Sequence, residues 1–289
     1  MANLKEIRSR ITSVASTMQI TNAMKMVSAA KLKKAQDSIT QMRPYANKLR
    51  ELMDNVSAAV TEDIGGEFTQ KREVQNVLII AITSNRGLAG AFNSSVNKEV
   101  IHLIEHTYAG KNVQVLTLGK KGNDILKKSY SIYRHNSAVW DDFTFKNVSD
   151  IADEVMLAFK NHEFDEVRLV YNHFKNAATQ LVMNEAFLPI SIDTPVTDKQ
   201  EAETDYIFEP GKIEILLELI PKTLKTQLFK AMLDSNASEH GARMTAMHKA
   251  TDNADALRKD LTLEYNKARQ AAITGEILEI VGGAEALGG

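Results

Sequence analysis

Cysteine is absent from the 289 residues, which excludes disulfides, cysteine-ligated zinc and thiol nucleophiles, and fits a reducing compartment. Proline is scarce: there are 5, and none after Pro221, so nothing need interrupt a helix over the last 68 positions. No apolar run reaches the roughly 18 residues of a bilayer-spanning helix. The start, Met1-Ala2-Asn3-Leu4-Lys5-Glu6, has no apolar signal core and reads as neither a secretory nor a transit peptide. The net charge is only −2, so no global charge points to nucleic acid. Neither G-x-x-x-x-G-K-[ST] nor G-x-G-x-x-G occurs, so no phosphate-binding loop and no dinucleotide fingerprint is present.

What the chain does have is helical periodicity at both ends. Positions 4 to 60, taken at alternating steps of three and four, are apolar in 14 of 17 cases, including Leu4, Ile7, Ile11, Val14, Met18, Leu32, Ile39, Leu49 and Met53. A heptad stripe sustained this long predicts a coiled-coil helix. Pro44 should bend it locally. The three polar members are consecutive, Thr21, Lys25 and Ser28, and there apolar residues shift to Ile20, Met24 and Val27. Such a shift marks either a register wobble or a third surface touching the helix.

The C-terminal run carries a second stripe through Leu224, Leu228, Met232, Met247, Ala250, Ala254, Leu257, Leu261, Tyr265, Ala268 and Ala272. A continuous helix of 68 residues would be a rod of about 100 Å, which must be paired or sheathed. Beyond Gly275 the run turns apolar again at Ile277, Leu278, Ile280 and Val281.

Between the ends the period changes. Val77 to Ile82 is a continuous apolar run and reads as a buried strand. Ser84 to Gly90 is a turn opening a helix to about Tyr108; strands follow at 113–118, 130–134, 167–171 and 179–188, with helices after Gly119 and over 148–160. Alternation of this kind predicts a largely parallel sheet with helices on its faces. Residues 61–76 read as a loop and 190–208 as a linker. The fold class is therefore α/β: an antiparallel coiled coil of the two termini with an inserted Rossmann-like domain. The expected divisions are 1–60 and 210–289 for the helices and 74–190 for the domain. Charge is divided as well: residues 1–57 carry 10 Lys+Arg against 4 Asp+Glu, and the segment between the terminal helices is acidic.

Candidate chemistry is thin. The Ser84–Gly90 turn follows a strand and opens a helix, where backbone N–H groups can hold a phosphate; any tight strand–helix turn looks the same. His102-Leu103-Ile104-Glu105-His106 fits an inverted zinc-peptidase pattern, and equally two solvent-facing histidines on one helix face. Asp141-Asp142 beside Trp140 reads as an exposed turn. No nucleophile–base constellation, cofactor site or metal site is expected.

Three stretches carry a resemblance: Ile20-Thr21-Asn22-Ala23-Met24-Lys25-Met26-Val27-Ser28-Ala29-Ala30-Lys31-Leu32; Ser84 to Asn93; and, most specifically, Ala237-Ser238-Glu239-His240-Gly241-Ala242-Arg243-Met244 through Asn253 together with Asn266 to Thr274 and on to Gly283-Ala284. The chain resembles, end to end, the gamma subunit family of F-type ATP synthases, with Ala89 and Ala91 where cysteine and glycine are frequent. The resemblance implies a non-catalytic central rotor shaft. Its partners would be a hexamer of alpha and beta subunits, an epsilon subunit and the membrane ring of c subunits. Proton flow would turn the ring and shaft, driving the beta sites through ATP synthesis or running in reverse, with the shaft also regulating ATPase activity. It implies that Arg243, Gln270, Thr274 and Glu276 meet beta loops, and that Met24 and Lys25 lie near the beta lever. The seam would be packed by Ile7, Ile11, Val14, Met18, Met244, Met247, Leu257 and Leu261. With no cysteine-bearing regulatory insertion, a bacterial form on the cytoplasmic face of the plasma membrane is implied.

Antiparallel helices leaving one domain should pair so that partner numbers sum to about 267, within one or two turns. Residue 4 then lies near 263, and the last twenty-odd residues overhang. The layer of Thr21, Lys25 and Ser28 falls opposite about 239–246, with cysteines at 21 and 244 expected to cross-link, and Lys25 lies on the layer of Glu239 and can pair with it, or points outward to a beta subunit. Two other classes stay open: a coiled-coil scaffold without a rotary partner, and an α/β enzyme with a helical arm and a ligand at the Ser84–Gly90 turn.

Overall fold

A computed structural model describes residues 4–58, 68–70, 72–190 and 211–287. Residues 191–208 of the expected linker, and half of the expected 61–76 loop, fall outside the described residues. Helix α1 covers Leu4–Ala58. It is followed by β1 (Asn76–Ile82), α2 (Phe92–His102), β2 (Asn112–Leu118), α3 (Lys120–Leu126), β3 (Ser131–Asn136), α4 (Phe145–Lys160), β4 (Glu166–Phe174), β5 (Gln180–Leu188) and α5 (Lys212–Leu287). The chain forms two compact units, residues 30–242 and residues 1–29 with 243–289.

In the larger unit the five strands lie in the order β3-β2-β1-β4-β5. The first four are parallel and β5 is antiparallel to β4. The direction of β5 follows from its connection: only residues 175–179 separate it from β4, too few for the crossover that a parallel neighbour needs. The Asn176 side chain closes that turn, accepting from the backbone N–H groups of Ala178 and Thr179 at 3.0 and 2.8 Å. The continuous apolar run of β1 is buried on both faces. Val77, Ile79 and Ala81 pack with Val96 and Val100 of α2 and Leu126 of α3. Leu78, Ile80 and Ile82 face Val155 and Phe159 of α4 and, from α5, Ile220, Leu224, Leu228 and Met232. The α5 residues recur at steps of four, so one stripe of this helix completes the second layer. Backbone sterics fix one crossing: Gly119 has φ 126°, and a Cβ there would fall 2.1 Å from the Thr83 carbonyl oxygen, so only glycine can lead β2 into α3.

In the smaller unit the first part of α1 pairs with the last part of α5. The Thr21 and Thr251 hydroxyls lie 2.8 Å apart. If the helices ran parallel, that contact would set residue 7 beside residue 237, which belongs to the other unit; antiparallel, it sets Ile7 beside Tyr265. The partner sum is thus 272, about five residues above the centre of the expected range and inside its limits. Thr21 meets Thr251 rather than residue 244, and the layer of Lys25 is Met247 rather than Glu239. Every heptad position of α1 from 4 to 53 is buried or half-buried, Thr21, Lys25 and Ser28 included. The expected shift of the stripe therefore does not occur. Thr21 and Ser28 stay in the seam because each hydroxyl donates to a carbonyl of its own helix, Met18 at 3.1 Å and Met24 at 2.7 Å, which satisfies the donor within α1. Pro44 does not end α1, which continues through it to Ala58.

Candidate partner-binding surfaces

The carboxyl ends of β1 and β4, where a doubly wound sheet receives its ligand, are occupied by the chain itself. Ala89 and Phe92, at the start of α2, are buried against Ala242 of α5. Asn172 of β4 donates to the Phe92 carbonyl at 3.0 Å, and Ser238 of α5 donates to the Asn172 carbonyl at 3.0 Å. Gly241 brings α5 so near the β4–β5 turn that a Cβ would lie 3.2 Å from the Ala177 Cα. The Ser84 N–H, a donor that a phosphate would need, is bound to the Asn93 side chain at 3.0 Å. The end of the Ser84–Gly90 turn thus packs against α5 at Ala89, and its first N–H is already bound by Asn93.

The His102–His106 pair lies where α2 passes into a π-turn, Leu103–Thr107, with ring centroids 4.9 Å apart. The intervening carboxylate is turned away: Glu105 accepts the Tyr130 hydroxyl at 2.7 Å. Asp142 accepts from the Asn147 side chain at 2.9 Å and helps to hold the entry to α4.

The smaller unit is different in character. Ile20 and Val27 of α1 stand 60% and 57% exposed, with Met26 beside them and Met24 half-buried. They form an apolar face turned away from the seam. Leu257 is 49% exposed, while Arg258, one place on, is half-buried in the row of Met247, Thr251, Ala254 and Leu261. Arginine reads as a surface residue, so the sequence stripe ran through Leu257 instead. Ile7, Met247 and Leu261 are buried in the seam, with Ile11, Val14, Met18 and Met244 half-buried. At a sum of 272, residue 4 lies near residue 268, and beyond that point every residue to 284 except Ala272 and Gly275 is exposed. Ile273, Ile277, Leu278, Ile280 and Val281 are among them, Ile280 at 71%. Gln270, Thr274 and Glu276 share this exposed end, whereas Arg243 is only 7% exposed.

One buried charge had no signal in the sequence. Asp234 of α5 is 1% exposed, and its Oδ2 lies 2.9 Å from Nδ1 of His173 on β4. Burial pushes its carboxyl above the usual range, while His173, Lys230 and Arg43 pull the other way. A lone Asp in a helical stripe looks like any solvated acid.

A family model described as ATP synthase matches residues 3–287. Over the full length of both chains, the sequence is 61% identical to the ATP synthase gamma chain of Christiangramia forsetii and 63% identical to that of Flavobacterium johnsoniae. Among solved structures it is similar to a chain of the Tetrahymena thermophila mitochondrial ATP synthase central stalk and c-ring. That match has 27% identity and a TM-score of 0.60, covering 80% of this chain and 99% of that one. A chain of the Euglena gracilis mitochondrial ATP synthase, at 20% identity and TM-score 0.67, covers 98% of this chain and 94% of that one and has the same fold. The long paired helices, the inserted parallel sheet and the full-length identity agree, and the chain belongs to the ATP synthase gamma chain family.

Proposed function

We propose that this chain is the central rotor subunit of an F-type ATP synthase, a non-catalytic shaft that passes rotation between a membrane c-ring and a catalytic hexamer. The observation that carries the reading is the end of α5: a helix continuing past its partner with five large aliphatic side chains in solvent. An unpaired apolar end of this kind fits a sleeve supplied by another protein. The small residues of the same stretch, Ala268, Ala271, Ala272 and Gly275, give it the short-side-chain surface that turning in a sleeve needs. Gln270, Thr274 and Glu276 are exposed on this stretch and would touch alpha and beta subunits there. Met24 and Lys25, with the Ile20–Val27 face, form a second contact along α1. Arg243 reaches beta only by leaving its buried position. An epsilon subunit and the c-ring would bind at the domain end of the shaft, at the cytoplasmic face of a bacterial plasma membrane. No described helix is long and apolar enough to cross that membrane. Catalysis then belongs to the beta subunits.

Reconstitution tests this directly. With alpha and beta subunits the chain should support steady ATP hydrolysis, and amide exchange over residues 269–284 should slow on assembly. Saturable ATP turnover by the purified chain alone, or equal exchange in the free and assembled states, would overturn the reading.

A further inference from the structure

Among the described residues of the larger unit, a cavity of about 220 Å³ lies between α1, β5 and α5. One part of its lining is apolar: Leu49 and Met53 of α1, Phe187 of β5, and Ile190 just beyond it. The other part carries two half-buried charges of opposite sign that do not meet, Glu185 of β5 and Lys230 of α5. The Glu185 Oε1 accepts the Tyr171 hydroxyl at 2.8 Å, while its Oε2 has no hydrogen-bond partner among the described residues. No described carboxylate forms an ion pair with the Lys230 ammonium. Asp234, one turn further along α5, interacts with Lys230 and Arg43 through their charge, but its Oδ2 lies 2.9 Å from Nδ1 of His173. Thr223 lines the cavity as well, and its hydroxyl oxygen is buried with no hydrogen-bond partner among the described residues.

We propose that this cavity binds a small zwitterion with an apolar body, of the size and kind of an apolar α-amino acid. A charge partly withdrawn from water gains most from a counter-charge at hydrogen-bond distance. The ligand's ammonium group meets the open Glu185 oxygen, and its carboxylate meets Lys230 and the Thr223 hydroxyl. An anion without an ammonium satisfies Lys230 but brings its charge toward Glu185; a cation without a carboxylate does the converse. The apolar body takes the place of water beside Leu49, Met53, Phe187 and Ile190. Size agrees: a cavity of about 150 Å³ admits benzene, so this one holds a phenyl ring with a short polar head. Such an occupant touches α1, β5 and α5 together, and so fastens α1 to the sheet.

The experiment is a titration of the full-length chain with L-phenylalanine, followed by ligand-observed NMR, beside hydrocinnamate, which lacks the ammonium, and phenethylamine, which lacks the carboxylate. L-Phenylalanine should bind with a Kd of roughly 1 mM, and each analogue about tenfold more weakly. Lys230→Met should reduce L-phenylalanine to the level of phenethylamine, and Glu185→Gln to that of hydrocinnamate. Amide exchange over residues 46–53 of α1 should slow on binding, while residues 148–159 of α4 stay constant. A Kd for L-phenylalanine above about 10 mM, an analogue that binds as tightly, or unchanged exchange over 46–53 at saturation would overturn the proposal. If either variant fails to fold, the three ligands compared on the wild-type chain still decide.

Discussion

Between Ile220 and Ala242, α5 buries an apolar stripe, a carboxylate and two serines against a sheet; beyond Arg243 the same unbroken helix turns progressively outward, until leucine and isoleucine face water. The two stretches do not differ in helical character. They differ in what lies opposite. Over the first, the sheet offers fixed acceptors and a shaped surface, so polar side chains and a glycine have assigned partners. Over the second, α1 covers one side as far as residue 268, and beyond it no described residue covers either side. Hydrophobicity alone therefore does not report burial within this helix. The seated part is held by the chain's own core, and the outer part leaves its apolar surface in water.

The largest test of that contrast is a pair of truncations. Leu224→Ala removes a side chain with no exposure and should cost about 3 kcal/mol in denaturant unfolding, whereas Ile277→Ala in the free chain should stay within about 0.5 kcal/mol. Equal losses would erase the difference between the stretches. The glycines offer a second pair. Gly241→Val must push against the Ala177 backbone and should destabilise by about 2 kcal/mol. Gly275 has nothing near its missing Cβ, so Gly275→Ala should raise stability by roughly 0.5–1 kcal/mol through helix propensity.

An alkaline titration sharpens the comparison further. Burial, then the charge and hydrogen bond of Glu185, raise the Tyr171 hydroxyl well above the ordinary tyrosine value. Its contribution is whole below about pH 10 and is lost as pH climbs past that point. Tyr171→Phe should lower stability near neutrality by about 1 kcal/mol and flatten the loss above about pH 10. An unchanged alkaline limb would mean that the hydroxyl does not govern it. The smallest effect is in the seam. Thr251→Val should cost no more than about 1 kcal/mol, because the Thr21 hydroxyl keeps its bond to the Met18 carbonyl. Thr21→Cys with Thr251→Cys should cross-link under mild oxidant, and Thr21→Cys with Gln270→Cys should not; the reverse would shift the register.

How legible each part was follows from the same physics. The strands could be read because β1 is buried on both faces and so appears as one apolar run, and because glycines punctuate the turns. The coiled coil could be read from spacing alone. The polar trio misled: a threonine or serine that bonds its own helix can sit in a seam, so Thr21 and Ser28 simulated a change of face that never takes place. Leu257 misled in the opposite direction. Asp234 was illegible because its partner lies 61 residues away in sequence, on a strand. The contacts expected at the end of α5 came from family resemblance; Gln270, Thr274 and Glu276 are exposed, and Arg243 is buried.

The bare end of α5 also bears on supply within the cell. A copy made in excess of its partners displays Ile273, Ile277, Leu278, Ile280 and Val281 on one short length of helix, the kind of surface that chaperones hold and proteases clear. A copy sheathed by partners hides them. The same five side chains thus set a copy that displays them in water apart from one whose partners cover them.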